Sequence, residues 1–506
     1  MNSSLAKVST LDVILGATTL YLLAVFLRRR IRPRLPPGPR SLPIIGNIWD
    51  VPTKQPWKVF AGWSQNWGDL ISLQVLGQTM VVVNSPKITF DMLEKKSAIY
   101  SDRPTLTMAD EMVGWRYALS DTSYSDRFRK YRRLIHSVVG TRASVEEYLP
   151  VEEHETRKFL RLTLADPDPQ VRSQSLTAGA IILQITYGYE VHDGDDPIVN
   201  IVDKATDQFS ELVRPGAYLV DTLPILRYIP DWFPGTKFKQ IAHAYAGTLR
   251  SMVDVPFRLT RDQMSLGRAR PSFVANQLSA EECIDEDIIK WAAASLYSGG
   301  VTVSSIHSFF LAMMLYPDVQ SKAHAEIDAI MGQDRLPSFS DRDQLPYVEA
   351  LVSEVLRWNP VGPLGVPHRL REDDIHEGYF IPKDSLIIPN IWKFLHDPET
   401  YADPEVFNPD RFLPHNGKGP ELDPRTYCFG FGRRICPGMR VADASLFISC
   451  AMSLAVFDIS KPRDEAGNLI EPVVEYSSNI ISHPGPFKRS IKPRSPKAEV
   501  LISALP

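Results

Sequence analysis

From Trp291 to Tyr316 the chain carries no Asp, Glu, Lys or Arg. A charge-free stretch of that length either crosses a bilayer or runs through the middle of a large core. It holds Ser295, Ser298, Gly299, Gly300, Thr302, Ser304, Ser305, His307 and Ser308, whose polar groups are costly in lipid. The stretch therefore reads as a long central helix in a large soluble body. A chain of 506 residues, 44% hydrophobic and 23% charged, has the composition to bury such a core without staples. The 41 prolines point to many loops. A net charge of −4 argues against nucleic acid as a partner. Cys283, Cys428, Cys436 and Cys450 form no CxxC pair, so neither a disulfide framework nor a cysteine-rich zinc site is indicated.

A second apolar run opens the chain. Val13 to Leu27 is uncharged, and counting back across Asp12 to Val8 gives 20 residues, enough for a spanning helix. Arg28, Arg29, Arg30, Arg32 and Arg34 follow, which holds the C-terminal side in the cytoplasm. A cleaved signal peptide would carry its basic residues before the apolar run. Residues 1–34 thus read as a membrane anchor with a basic flank, and 35–506 as a separate folded body. Leu35-Pro36-Pro37-Gly38-Pro39 is a stiff spacer between them.

Within the body, Leu70–Leu76 and Thr79–Val83 flank Gly77-Gln78 and predict a hairpin. Short strands are expected at 378–381 and 385–388. Helical patterns cover about 125–165, 170–186, 200–213, 240–260 and 285–330. The fold class is mainly α with small β-sheets, since the strands are too few for a doubly wound sheet. Gln344–Trp358 is a further helix, with Pro346 in its first turn and Ser340 and Asp343 resembling a capping box. Glu354 and Arg357 are spaced i, i+3 off its apolar stripe, which on the wheel alone is a solvated pair.

Phe429-Gly430-Phe431-Gly432-Arg433-Arg434-Ile435-Cys436-Pro437-Gly438 places one cysteine in a glycine-bounded turn behind two arginines. Glycines let a flat ligand approach the backbone, and nearby Arg favours the thiolate, the metal-binding form. A lone Cys cannot build a zinc site, but it can be an axial haem ligand with an Arg on a propionate. The stretch resembles the cytochrome P450 haem signature F-x-x-G-x-x-x-C-x-G at Phe429, Gly432, Cys436 and Gly438, with Arg434 at the basic position. Glu354-Val355-Leu356-Arg357 is similar to the family's E-x-x-R. Phe407-Asn408-Pro409-Asp410-Arg411-Phe412 is similar to its P-E-R-F region. The anchor and proline hinge resemble eukaryotic microsomal members, and the style of 378–412 and 429–434 resembles fungal ones.

The resemblance implies the cytochrome P450 fold, with haem b between the central long helix and the cysteine loop. It makes Cys436 the iron ligand and gives Arg132, His368 and Arg434 to the propionates. It also implies a buried Glu354–Arg357–Arg411 network in place of the solvated pair. Phe128 stands where the family's C helix has Trp. The central helix departs further: Ser298-Gly299-Gly300-Val301-Thr302-Val303-Ser304 lacks the family's acid. Thr302, Val301 and Ser304 are its remaining candidates for the oxygen side, where the family relays protons.

The implied activity is monooxygenation, inserting one oxygen atom of O2 into a lipophilic small molecule in secondary metabolism or detoxification. A thiolate ligand favours O–O cleavage. No G-x-G-x-x-G follows a strand, so the resemblance implies a separate NADPH–cytochrome P450 reductase. It also implies residence in the endoplasmic reticulum membrane, single-pass, with the catalytic domain on the cytoplasmic side. Substrate contacts are implied at 101–120, 205–235, Val361–Val366 and Ser478–Ile481, with Met108, Met112, Trp115, Leu364, Val366 and Ile480 as an apolar set. Two rivals share the haem site. One is a haem-thiolate enzyme of rearrangement, dehydration or peroxide-driven oxidation; the other is a non-catalytic haem-binding membrane protein.

Overall fold

From residue 34 onward the computed structural model describes residues 34–165, 170–192, 195–214, 216–281, 284–298, 302–414 and 417–504. The expected anchor at Val8–Leu27, Cys283 and Val301 lie outside the described residues. The longer helices are α1 Pro56–Trp67, α2 Asp126–Val139, α3 Leu149–Ala165, α4 Gln170–Tyr187, α5 Pro197–Leu212 and α6 Lys237–Ser265. They continue as α7 Glu286–Tyr297, α8 Thr302–Leu315, α9 Pro317–Met331, α10 Pro346–Trp358 and α11 Met439–Val456.

The β content is small. Strands β1 Leu70–Val75, β2 Gln78–Val83, β3 His368–Arg369 and β6 Leu386–Pro389 form one sheet in the order β1-β2-β6-β3. Pairs β4 Asp374–His376 with β5 Tyr379–Ile381, and β7 Phe457–Ser460 with β8 Ser490–Pro493, stand apart. The β1–β2 turn is one residue earlier than the sequence suggested. Leu76 and Gly77 take φ of 50° and 89°, the two left-handed positions of a tight hairpin, and Gln78 pairs with Val75.

The expected central helix is described in two pieces, on either side of residues 299–301, which lie outside the described residues. Helix α7 ends where the Ser298 N–H reaches the Ala294 carbonyl at 3.0 Å, and α8 starts at Thr302. The two halves feed different cores. Ile288, Ile289, Ala292–Ala294 and Tyr297 pack with α2, α4 and α6. Ile306 and Phe309–Met314 pack with α10 and α11. The uncharged run is thus accounted for by protein on both sides. Met439–Val456 is long and apolar enough to cross a membrane, but 72% of it is buried inside the protein, as a core helix would be.

Helix α10 is buried on nearly every side from Tyr347 through Arg357, with only Glu349 partly exposed. Its capping box falls two residues before the expected pair. Ser338 and Asp341 form it, and it opens the short 3-10 turn Phe339–Gln344 rather than α10 itself.

Candidate active site

The cysteine turn is built by backbone geometry. Gly430 and Gly432 have φ of 79° and 54°, and a Cβ on Gly432 would overlap the Leu93 carbonyl. The Cys436 N–H donates to the Phe429 carbonyl at 2.8 Å, closing the turn. Gly438 differs: its φ is −91°, and nothing lies within 4 Å of where a Cβ would stand. The protein's own packing does not require glycine there; a ligand lying against the turn would. Burial pushes the Cys436 thiol above its ordinary value, while the Gly438 N–H and the Arg132 guanidinium pull it back.

Arginines surround this turn. Arg132, on α2, donates to the Ile435 carbonyl at 2.7 Å. Arg434 donates to the carbonyls of Ser101 (2.8 Å), Leu119 (3.2 Å) and Thr122 (2.7 Å). Its guanidinium lies 4.0 Å over the Phe128 ring, so the aromatic face is kept although the indole donor is absent. Burial and the neighbouring Arg103 pull Arg434 down to about 9.

Arg103 is the residue that sequence reasoning missed. It is buried, and it donates to the carbonyls of Ser120 (3.0 Å), Val366 (2.7 Å) and Pro367 (2.9 Å). Burial brings it down to about 10. A lone Arg before Pro104 has no periodicity or spacing to mark it; only the fold brings it to the others.

Among the described residues, Arg103, Arg132 and Arg434 hydrogen-bond carbonyl oxygens and no carboxylate. Asp102 and Asp121 lie near enough to raise Arg103 and Arg434, but burial outweighs them, and buried cations without a directly bonded anion are costly. The set fits a cofactor that brings carboxylates of its own.

His368, on β3, is buried close to Arg103 and Arg434. Its Nδ1 is 2.8 Å from the Tyr100 carbonyl, which can only accept, so Nδ1 carries the proton. Burial and Arg103 hold its pKa far below the usual value. The neutral ring therefore presents an unprotonated Nε2.

Beneath the turn, Glu354 and Arg357 are both fully buried and pair through two bonds of 2.7 and 2.8 Å. Arg411 reaches Glu354 at 3.2 Å, and the Asn408 N–H donates to it at 2.7 Å. Arg357 also donates to the Leu395 and Pro404 carbonyls at 2.9 and 2.8 Å.

On the opposite side the expected residues are brought together only in part. Met108, Met112 and Trp115 share one core, where Trp115 meets Phe209 at 4.4 Å between centroids. Leu364 packs instead against the Phe60 cluster, Val366 is 37% exposed, and Ile480 is half-buried. Asp110 is buried beside Met108; burial and Asp121 push it up to about 8. Thr302 is the first residue of α8. The Ser304 hydroxyl donates to the Ser482 carbonyl.

The chain and its fold correspond to known proteins. The cytochrome P450 family model matches residues 36–488. Cytochrome P450 monooxygenase 208 of Postia placenta is 53% identical over 498 residues, 97% of each chain. Cytochrome P450 monooxygenase claR of Ampulloclitocybe clavipes is 47% identical, covering 98% of this chain and 93% of its own. An O-methylsterigmatocystin oxidoreductase of Aspergillus flavus is 39% identical over 94% of this chain and 90% of its own. A solved zebrafish cytochrome P450 with abiraterone superposes with a TM-score of 0.68 at 21% identity, over 87% of this chain and 100% of its own. That last likeness concerns the fold alone.

This chain belongs to the cytochrome P450 family. It is a haem-thiolate monooxygenase that uses O2 on a small-molecule substrate.

Proposed function

We propose that Cys436 is the axial ligand of the haem and that Arg103, Arg132 and Arg434 hold its carboxylates, with His368 beside them. The observation that carries this reading is the cysteine turn ringed by the guanidinium groups of buried Arg103 and Arg434 and half-buried Arg132, which hydrogen-bond backbone carbonyls and, among the described residues, no carboxylate. When bound, haem supplies the activation of O2 needed to attack an unactivated carbon, and the thiolate favours O–O cleavage.

The chain's own residues do the rest. The Gly438 N–H and Arg132 stabilise negative charge on the Cys436 sulfur. Phe429 and Gly432 hold the turn in shape. Met108, Met112 and Trp115 orient a lipophilic substrate and exclude water. Thr302 and Val301 are the oxygen-side pair. With no acid between Asp287 and Asp318, the proton comes from the Thr302 hydroxyl or from water. Electrons arrive from a separate NADPH–cytochrome P450 reductase. Residues 1–34 anchor the protein in the endoplasmic reticulum membrane, single-pass, with 35–506 on the cytoplasmic side. The relative named for O-methylsterigmatocystin supports a place in secondary metabolism.

The test is a reduced-CO difference spectrum. Cys436→Ser should lose the thiolate–CO band, while Cys283→Ser, Cys428→Ser and Cys450→Ser should keep it. Protein lacking residues 1–34 should still load haem; failure under every expression condition would refute the domain division. The missing acid favours one rival, peroxide-driven oxidation. Turnover with peroxide but without reductase and NADPH would select it.

A further inference from the structure

Three residues on one face of α8 leave their helix to bind other parts of the chain. Ser304, His307 and Ser308 are spaced i, i+3, i+4 and are all buried. The Ser304 hydroxyl donates to the Ser482 carbonyl. The His307 ring stacks on Phe487 with centroids 4.8 Å apart. The Ser308 hydroxyl donates to the Ser304 carbonyl at 2.9 Å and accepts from Asn359 Nδ2 at 3.0 Å.

Ser482 is held from both sides. Besides its carbonyl, its N–H donates to the Val361 carbonyl at 2.8 Å. Around it the chain closes on itself. The Ser477 N–H donates to the His483 carbonyl at 2.8 Å, and the His483 N–H donates to the Ser477 hydroxyl at 2.9 Å. The tip of that closed loop is 478–481, and Val361 opens 361–366. One hydroxyl on α8 therefore ties together two segments from different parts of the chain, both of which the family resemblance assigns to substrate contact.

A serine hydroxyl has a single hydrogen to give. In Ser304 it goes to Ser482, so this side chain is not a free proton donor. Alanine would fit the buried position but would leave the Ser482 carbonyl without its partner.

We propose that Ser304 is a positioning residue: it pins the 477–483 loop, and through Ser482 the 361–366 segment, to the helix that borders the haem, and so sets substrate selectivity rather than proton delivery. The proposal rests on the haem-thiolate reading above.

Two azole probes test it on the haem-loaded protein. Imidazole binds iron with almost no contact to the walls; econazole is bulky and touches them. Ser304→Ala should weaken econazole relative to imidazole about fivefold or more, the scale of one lost hydrogen bond, and Ser304→Thr should restore the ratio. An unchanged ratio in Ser304→Ala, or no rescue by Ser304→Thr, overturns the proposal. Hydrogen exchange on the wild-type holoprotein gives a check independent of any variant. The Ser482 amide should be protected about as well as the β7–β8 ladder, and free exchange there overturns the proposal. Loss of the wild-type thiolate–CO band would instead sink the haem-thiolate reading itself.

Discussion

Glu354 and Glu152 are both carboxyl groups without exposed surface, and the chain treats them in opposite ways. Glu354 faces two arginines and a backbone N–H, so its charge is matched on every side. Glu152, on α3, has one oxygen on the Ser445 hydroxyl at 2.5 Å and the other without a partner among the described residues. Burial and the nearby Asp443 push its pKa up to about 8. One region keeps a buried ion by surrounding it with donors; the other keeps a buried acid by leaving it protonated. The first arrangement is intolerant of change and the second is forgiving.

The largest expected effect follows from the first region. Glu354→Ala strands two buried guanidinium groups, a loss of about 3–5 kcal/mol, and should abolish haem-loaded protein. A variant with near-normal haem content and melting temperature would erase the contrast. Next comes Gly432→Ala in the cysteine turn. A side chain there must move the Leu93 backbone and adopt a left-handed φ, costing about 1–3 kcal/mol. The thiolate–CO band should shrink in proportion to total protein, and a full band would show that the turn yields easily. Gly438→Ala should instead spare the fold of the haem-free protein.

The smallest effect concerns Glu152→Gln. In the folded state Glu152 holds its proton up to about 8, against 4.5 for the free group. The unfolded chain releases that proton first, so wild-type stability falls as pH rises between those two values. The amide does not titrate. Glu152→Gln should melt close to wild type at low pH and above it at pH 8. Melting curves with equal pH slopes for both proteins would contradict a neutral buried acid.

Periodicity and turn chemistry exposed the scaffold well. The β1–β2 hairpin, α10 and the glycines of the cysteine turn are local features, set by residues a few positions apart. The helical wheel misplaced Glu354 and Arg357 for a physical reason. The polar side of α10 is covered by 395–411, a segment the wheel cannot see. Arg103 escaped notice likewise, since its partners at 120 and 366–367 are near only in space. That the uncharged central run would serve two separate cores was not legible, because core membership depends on which distant helices arrive.

The placement of β2 between β1 and β6 has a consequence for how the chain is made. Val83 ends β2, and its parallel neighbour β6 begins roughly 300 residues later. At ribosomal speed that is a delay of roughly 15–60 s. One face of the hairpin is provided for early: Ile71, Leu73 and Val82 pack on Phe60 of α1, so the buried members of that cluster lie in one short stretch of chain and only the partly buried Leu364 arrives late. The other face, with Leu70, Val81 and Val83, waits for Leu370, Ile381 and Ile387. Throughout that interval a valine-rich strand edge stands open to any neighbouring nascent chain, which makes translation speed and chaperone supply direct determinants of yield.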